Sequence, residues 1–335
     1  MTHNNQKLED FRYDAKLFKQ AYKAGLEAKK TDQKSRQRKY IKLGVILLSS
    51  ILIVFSVIWI LTHIPVKYSY VRAQQNSSQV DFVDVGVDRI PKDRSETTFD
   101  ETLVNAQSAI YADLETGHIY YQKNIEVILP IASLTKLMTA ILVVENFELN
   151  EVVEVNQNWY EQKDMEWSLE LDKGDSITVE SLLKAMLISS YNDAAYALAD
   201  HYPGGFEEFV KEMNNHASTL GLDSAHFSNP AGLDDEGGNV MSVEDLYRLM
   251  TIIYRNETLM DILKKSYADL TWDIGSKRIF STNALLNQYG NIAGKTGLTD
   301  DAGQCFMGIT NQGRVSIVLN SLDRFADTKK LLQSL

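Results

Sequence analysis

Cysteine is nearly absent from this sequence. Cys305 stands alone, so no disulfide can form within the chain. Stability must then come from an apolar core, which 335 residues with 44% hydrophobic content can supply. Cys305 itself lies in the alternating run GQCFMGIT and reads as a small buried strand residue. Internal repeats are absent as well. So is any His-Glu-x-x-His among the six scattered histidines. His216, Asp223 and His226 come nearest to a ligand cluster, and a solvated His216 at a helix end is the simpler reading. No motif calls for a metal or a cofactor. The net charge of −11 is uneven: residues 1–42 carry twelve Lys/Arg against five Asp/Glu, and the remainder 22 against 40. An acidic body of that kind suits no nucleic acid.

Charge is missing altogether between Lys42 and Lys67. The run LGVILLSSILIVFSVIWIL, Leu43 to Leu61, has nineteen apolar or small residues. At ~1.5 Å each as a helix, they nearly span a bilayer core of ~30 Å. Trp59 suits the interfacial belt, and Lys29, Lys30, Lys34, Arg36, Arg38, Lys39 and Lys42 crowd the N-terminal side. The positive-inside rule then puts residues 1–42 in the cytoplasm and the chain after about Pro65 outside. Val71-Arg72-Ala73 has the spacing of a signal-peptide cleavage site, but the long basic segment and long apolar run favour an uncleaved anchor. The expected organisation is a basic cytoplasmic tail (1–42), one transmembrane helix (43–64), a polar extracytoplasmic linker (65–104) and a folded domain (105–335).

Within that domain, SAIYADLETGHIYYQKN reads as two strands around a Glu-Thr-Gly turn. Helical spacing is expected over Ser133–Asn146, Ile177–Ser189, Asp193–His201, Phe206–Leu220 and Phe325–Leu335. Ser242-Val-Glu-Asp245 reads as a capping box opening a helix that ends near Arg255. IAGKTGLT, GQCFMGIT and VSIVLNS read as strands, the last two joined by Asn311-Gln312-Gly313. Strands at both ends with helices between imply an α+β domain whose antiparallel sheet joins the two ends of the domain, flanked by helices.

Three short elements carry chemistry. Ser133-Leu-Thr-Lys136 opens a helix, Ser190-Tyr-Asn192 interrupts a helical region, and Lys295-Thr-Gly297 lies in a strand. Each has decoys or a bland alternative: Ser181-Leu-Leu-Lys184 repeats the first spacing and Ser281-Thr-Asn283 the second. The three in this order match the Ser-x-x-Lys, Ser-x-Asn and Lys-Thr-Gly set of serine penicillin-binding proteins and class A β-lactamases. A serine hydroxyl needs a base, and a lysine can serve if burial and nearby positive charge lower its pKa. Lys136, one turn from Ser133 and expected near Lys295, fits that need. Ser190 can relay a proton to the leaving amine, Asn192 can hold a substrate amide, and Lys295 with Thr296 can bind a carboxylate. Gly297 lets a substrate backbone approach the strand. The N–H groups of Ser133 and Leu298 would form an oxyanion hole.

The chain resembles the serine D-alanyl-D-alanine carboxypeptidases over roughly Gln107 to Leu332. The resemblance is carried by the first strand pair, PIASLTKLMTA, SSYNDAAYALAD, FSNPAGLDDEGG, KTGLTDDAG and DRFADTKKLL. It implies an acyl-enzyme at Ser133 with Lys136 as base and Ser190 as proton shuttle. Asn192, Lys295 and Thr296 would bind peptidoglycan stem peptides, and β-lactams would acylate the same serine. Three departures bear on specificity and architecture. Tyr191 stands where the family often has glycine, either as pocket wall or as packing. Leu298 stands where a histidine often follows. The anchor is expected N-terminally rather than as a C-terminal amphipathic segment after a second domain. A β-lactamase also needs Glu-x-x-x-Asn, and Glu236-Gly-Gly-Asn239 has the wrong spacing. A DD-endopeptidase and a non-catalytic wall-binding sensor are the remaining alternatives.

Overall fold

The computed structural model describes residues 100–334 apart from 163, 164 and 166. The expected tail and membrane helix, and most of the linker, lie outside the described residues. Among those described, no helix is long and apolar enough to cross a membrane.

A five-stranded antiparallel sheet organises the domain. β1 (Ser108–Asp113) and β2 (Ile119–Lys123) come from one end of the domain, and β9 (Asn291–Thr299), β10 (Gly303–Thr310) and β11 (Arg314–Ser321) from the other, in the order β2-β1-β11-β10-β9. β1 pairs with β11 from Ser108↔Leu319 to Asp113↔Arg314, so the two ends close on each other as the strand pattern implied. The first turn forms because Asp113 accepts the N–H groups of Glu115 and Thr116, while Gly117 takes φ +72°. Alternation along β1 feeds two cores. Ile110 and Ala112 join the main cluster under the helices, whereas Ala109 and Tyr111 join a smaller one with Phe306, Val318 and Leu331. The C-terminal helix α8 (Arg324–Ser334) covers that second face. Its buried Asp327 accepts the N–H groups of Asn105 and Ala106, and Tyr121 donates to the carbonyl of Asp100. Packing therefore begins a few residues ahead of position 105.

The helical side comprises α1 (Lys136–Asn146), α2 (Trp159–Gln162), α3 (Val179–Ile188), α4 (Asn192–His201), α5 (Gly205–Thr219), α6 (Val243–Arg255) and α7 (Glu257–Leu263). Two expected starts are corrected. The run from Ser133 opens as a 3-10 turn, Ala132–Thr135, because Ala132 sits at φ +47° and Leu134 N–H bonds back three residues to Ile131. The run from Ile177 opens as a strand, β5 (Ser176–Thr178), paired with β4 (Val152–Glu154); Thr178 then caps α3. The capping box is half formed. Ser242 accepts Asp245 N–H, but the Asp245 carboxylate turns to Ser224 and Arg248 instead of closing the box. Two short pairs complete the frame: β3 (Leu129–Pro130) with β6 (Val240–Met241), and the hairpin of β7 (Tyr267–Trp272) with β8 (Gly275–Phe280).

Candidate active site

The three motifs meet at the edge strand β9. Ser133 sits on the 3-10 turn and Lys136 begins α1, one turn on. Ser190 and Tyr191 form the break between α3 and α4, Asn192 opens α4, and Lys295 to Leu298 run along β9. Ser190 holds φ +63°, a strained setting for a side chain with a Cβ. The decoy of the first motif separates cleanly. Lys184 of Ser181-x-x-Lys184 pairs with Glu180 at 2.7 Å on the face of α3.

Lys136 is fully buried, and its Nζ reaches Ser133 Oγ at 2.9 Å, Asn192 Oδ1 at 2.8 Å and the Ala231 carbonyl at 2.6 Å. Two of these partners are obligate acceptors. A neutral amine would give them its two hydrogens and keep one lone pair, aimed at the Ser133 hydroxyl. That is the orientation a base requires. Burial pushes the Lys136 pKa down to about 7, against the opposing pull of Asp193. Lys295, also fully buried, donates to Ser190 Oγ at 2.6 Å and to the Thr296 carbonyl at 2.8 Å. Its pKa is driven well down by burial, then by the charges of Lys136 and Arg324. Two buried ammonium groups this close disfavour double protonation.

The loop Asn229–Leu233 roofs Lys136. Asn229 Oδ1 accepts the N–H groups of Ala231, Gly232 and Leu233, and this turns the Ala231 carbonyl onto Lys136. Gly232, at φ +82°, lies against the nucleophile turn: a Cβ there would stand 1.9 Å from the Ala132 oxygen. Gly232→Ala should therefore cost roughly 2 kcal/mol or more and slow acylation sharply. Urea unfolding and labelling by a fluorescent penicillin would measure the two effects.

A second clamp holds the Ser190 break. Buried Asp193 accepts N–H groups from Leu169, Glu170, Leu171 and Ala194. The adjoining Trp167 accepts Asn192 N–H on its carbonyl and donates its indole N–H to the Ser189 carbonyl. Asp193→Ala would strand those donors, at a cost of about 3 kcal/mol or more. The urea midpoint should fall with the slope unchanged.

Gly297 also has close neighbours within the protein. A Cβ there would meet the Ile131 oxygen at 3.0 Å and Ala132 Cβ at 3.1 Å, so its missing side chain seats the nucleophile turn against β9. Leu298 is 61% exposed at the mouth. Tyr191 is half-buried, packs on the main core, and carries Lys277 Nζ 4.8 Å from its ring centroid. Four site neighbours were missed in the sequence. Arg324 Nη1 donates to the Gly297 carbonyl at 2.7 Å, and Asn229, Asp193 and Thr282 support the motifs. Asn229 and Arg324 lie in the segments FSNPAGLDDEGG and DRFADTKKLL that carried the resemblance, which was their only signal. His216 lies 3.4 Å from Glu145. Among the described residues, no three His, Cys, Asp or Glu side chains gather as a metal site.

A serine and a buried lysine one turn apart, facing a second serine–lysine pair, define a serine acyl-transferase site of the penicillin-recognising kind. The chain belongs to the D-alanyl-D-alanine carboxypeptidase family, whose profile matches residues 95–326. It is 30% identical to the D-alanyl-D-alanine carboxypeptidase DacF of Bacillus subtilis over 64% of this chain and 56% of that protein. It is 34% identical to the D-alanyl-D-alanine endopeptidase of Pseudomonas aeruginosa, over 65% of this chain and 71% of the relative. Penicillin-binding protein D2 of Listeria monocytogenes, in its ampicillin-bound form, superimposes with a TM-score of 0.59 at 33% identity, covering 69% of this chain and 96% of that one. The fold is thus that of the DD-peptidases, a helical layer on an antiparallel sheet.

Proposed function

We propose that this protein is a serine D-Ala-D-Ala carboxypeptidase acting on peptidoglycan pentapeptide stems. The observation that carries the reading is Lys136 Nζ standing 2.9 Å from Ser133 Oγ, with its two other hydrogen-bonding positions taken by Asn192 Oδ1 and the Ala231 carbonyl. Ser133 Oγ attacks the carbonyl between the two D-alanines as its proton passes to Lys136. The oxyanion is met by the N–H groups of Ser133 and Leu298. The C–N bond then breaks. The leaving amine takes a proton through Ser190, whose hydroxyl Lys295 holds at 2.6 Å. Asn192 spends its oxygen on Lys136, which leaves its NH2 for the donor's amide. Lys295 and Thr296 receive the terminal carboxylate. Water repeats the sequence on the ester, with Lys136 again as base. A β-lactam enters the same path, but its amine stays tethered after ring opening.

The same acyl-enzyme would serve an endopeptidase, and the likeness to the Pseudomonas D-alanyl-D-alanine endopeptidase favours that as the second reading. The uncharged run at Leu43–Leu61, with its basic N-terminal flank, supports a single-pass protein whose N-terminus is cytoplasmic and whose catalytic domain faces the wall. To test the first reading, the purified full chain is given a soluble pentapeptide stem and, separately, a cross-linked stem dimer. Free D-alanine from the first supports the carboxypeptidase. Cleavage of the dimer alone moves the assignment to the endopeptidase, and turnover of neither sinks both.

A further inference from the structure

We propose that Thr282 is a positioning residue that aims the Thr296 hydroxyl at the substrate's carboxylate, and so sets the preference for leaving groups that carry one. This rests on the peptidase reading above. Thr282 lies in Ser281-Thr-Asn283, the stretch that repeats the spacing of the second motif without being it. Its Oγ1 stands 2.6 Å from Thr296 Oγ1. Among the described residues neither hydroxyl has another hydrogen-bond partner.

A hydroxyl has one proton to donate. In the empty site either threonine can give its proton to the other. A carboxylate accepts only, so once it reaches Thr296 the Thr296 proton must go to it. Thr282 must then be the donor to Thr296. The pair works as a two-link chain in which Thr282 fills the inner side of Thr296 Oγ1 and leaves the Thr296 proton facing outward. Such chains also polarise the terminal donor.

Thr282 is held where it can do this. Its N–H donates to the Ile188 carbonyl at 3.1 Å, at the end of α3 just ahead of Ser190. Two residues earlier, the Phe280 carbonyl accepts Ser189 Oγ at 2.8 Å. One residue later, Asn283 Nδ2 donates to Asn291 Oδ1 at 2.9 Å, at the start of β9. The segment 280–283 therefore bridges the second and third motifs. The β-branch of Thr282 restricts its rotamer.

The test compares full-length wild type, Thr282→Val and Thr282→Ser on two N-acyl-D-alanyl thioesters. Their leaving thiols differ only in ending in a carboxylate or a carboxamide. Thr282→Val should lose about tenfold in kcat/KM on the carboxylate ester, mostly through KM, and less than twofold on the carboxamide. Thr282→Ser, which keeps the donor, should stay within about threefold of wild type on both. An equal fall on both esters would make Thr282 a structural tie and overturn the proposal. So would an unchanged carboxylate preference. A wild type that takes neither ester and frees no D-alanine overturns the peptidase reading and this proposal with it.

Discussion

Ser133→Ala is expected to leave no D-alanine release and no covalent penicillin adduct, while the protein keeps its fold. The wild type should take up one penicillin per chain, at Ser133, visible as a single mass increment on one peptide. The loss should be on the order of 10⁴-fold or more, because the nucleophile forms the bond on which every later step depends. The substitution removes one hydroxyl from a half-buried turn whose backbone is fixed elsewhere. Leu134 N–H bonds to the Ile131 carbonyl, Ile131 N–H to Asn239, and Gly232 and Gly297 pack against Ala132 from two sides. Unfolding should therefore shift by less than about 1 kcal/mol. Release or labelling that persists in the mutant would mean that another hydroxyl is acylated. Ser190, held by Lys295, is the site's other serine. A mutant that loses activity and also melts early would leave the turn's architecture, rather than the nucleophile, as the cause; Ser133→Cys, which keeps a nucleophile, separates the two.

The parts of this site legible in the sequence are those where chemistry is written in adjacent residues. Ser133 and Lys136 are one turn apart, and Lys295-Thr-Gly297 lies in one strand. Their order along the chain was informative because each sat in a recognisable local element. The strands at both ends of the domain were legible for the same reason: VSIVLNS and SAIYAD are apolar enough to be buried on both faces. Supporting residues were not legible, since each acts through a single polar group, a side chain or a backbone carbonyl, across a long stretch of chain. Asp193 reaches back to Leu169, Ala231 lies 95 residues from Lys136, and Arg324 lies 27 from Gly297. Short strands failed similarly. Ile177 continues the apolar spacing of α3, and only its pairing with Val153 makes it a strand. The hairpin of β7 and β8 did leave a signal: YADLTW alternates exposed and buried residues along most of its length.

Lys136→Met should cost roughly 10²–10⁴-fold in acylation, and the wild-type rate should carry the titration of Lys136. The base is the neutral amine. With burial holding its pKa at about 7, the neutral fraction falls tenfold for each pH unit below that value and saturates above it. The second-order rate of penicillin labelling should therefore rise with unit slope up to about pH 7 and then level. With an unperturbed lysine, titrating near ~10.4, the rate would keep rising well beyond pH 8, and that outcome would show that burial does not hold Lys136 neutral at ordinary pH. Met matches the length of the lysine stem and keeps the site filled, but it leaves Asn192 Oδ1 and the Ala231 carbonyl without their donor. Some of its loss could then reflect a moved Asn192. Lys136→Arg removes that ambiguity. It restores donors to both oxygens, yet a guanidinium stays protonated at every pH of the assay and has no lone pair to offer. If arginine recovers the rate, Lys136 acts as a fixed charge. If arginine fails as methionine does, the proton on Ser133 is what Lys136 is there to take.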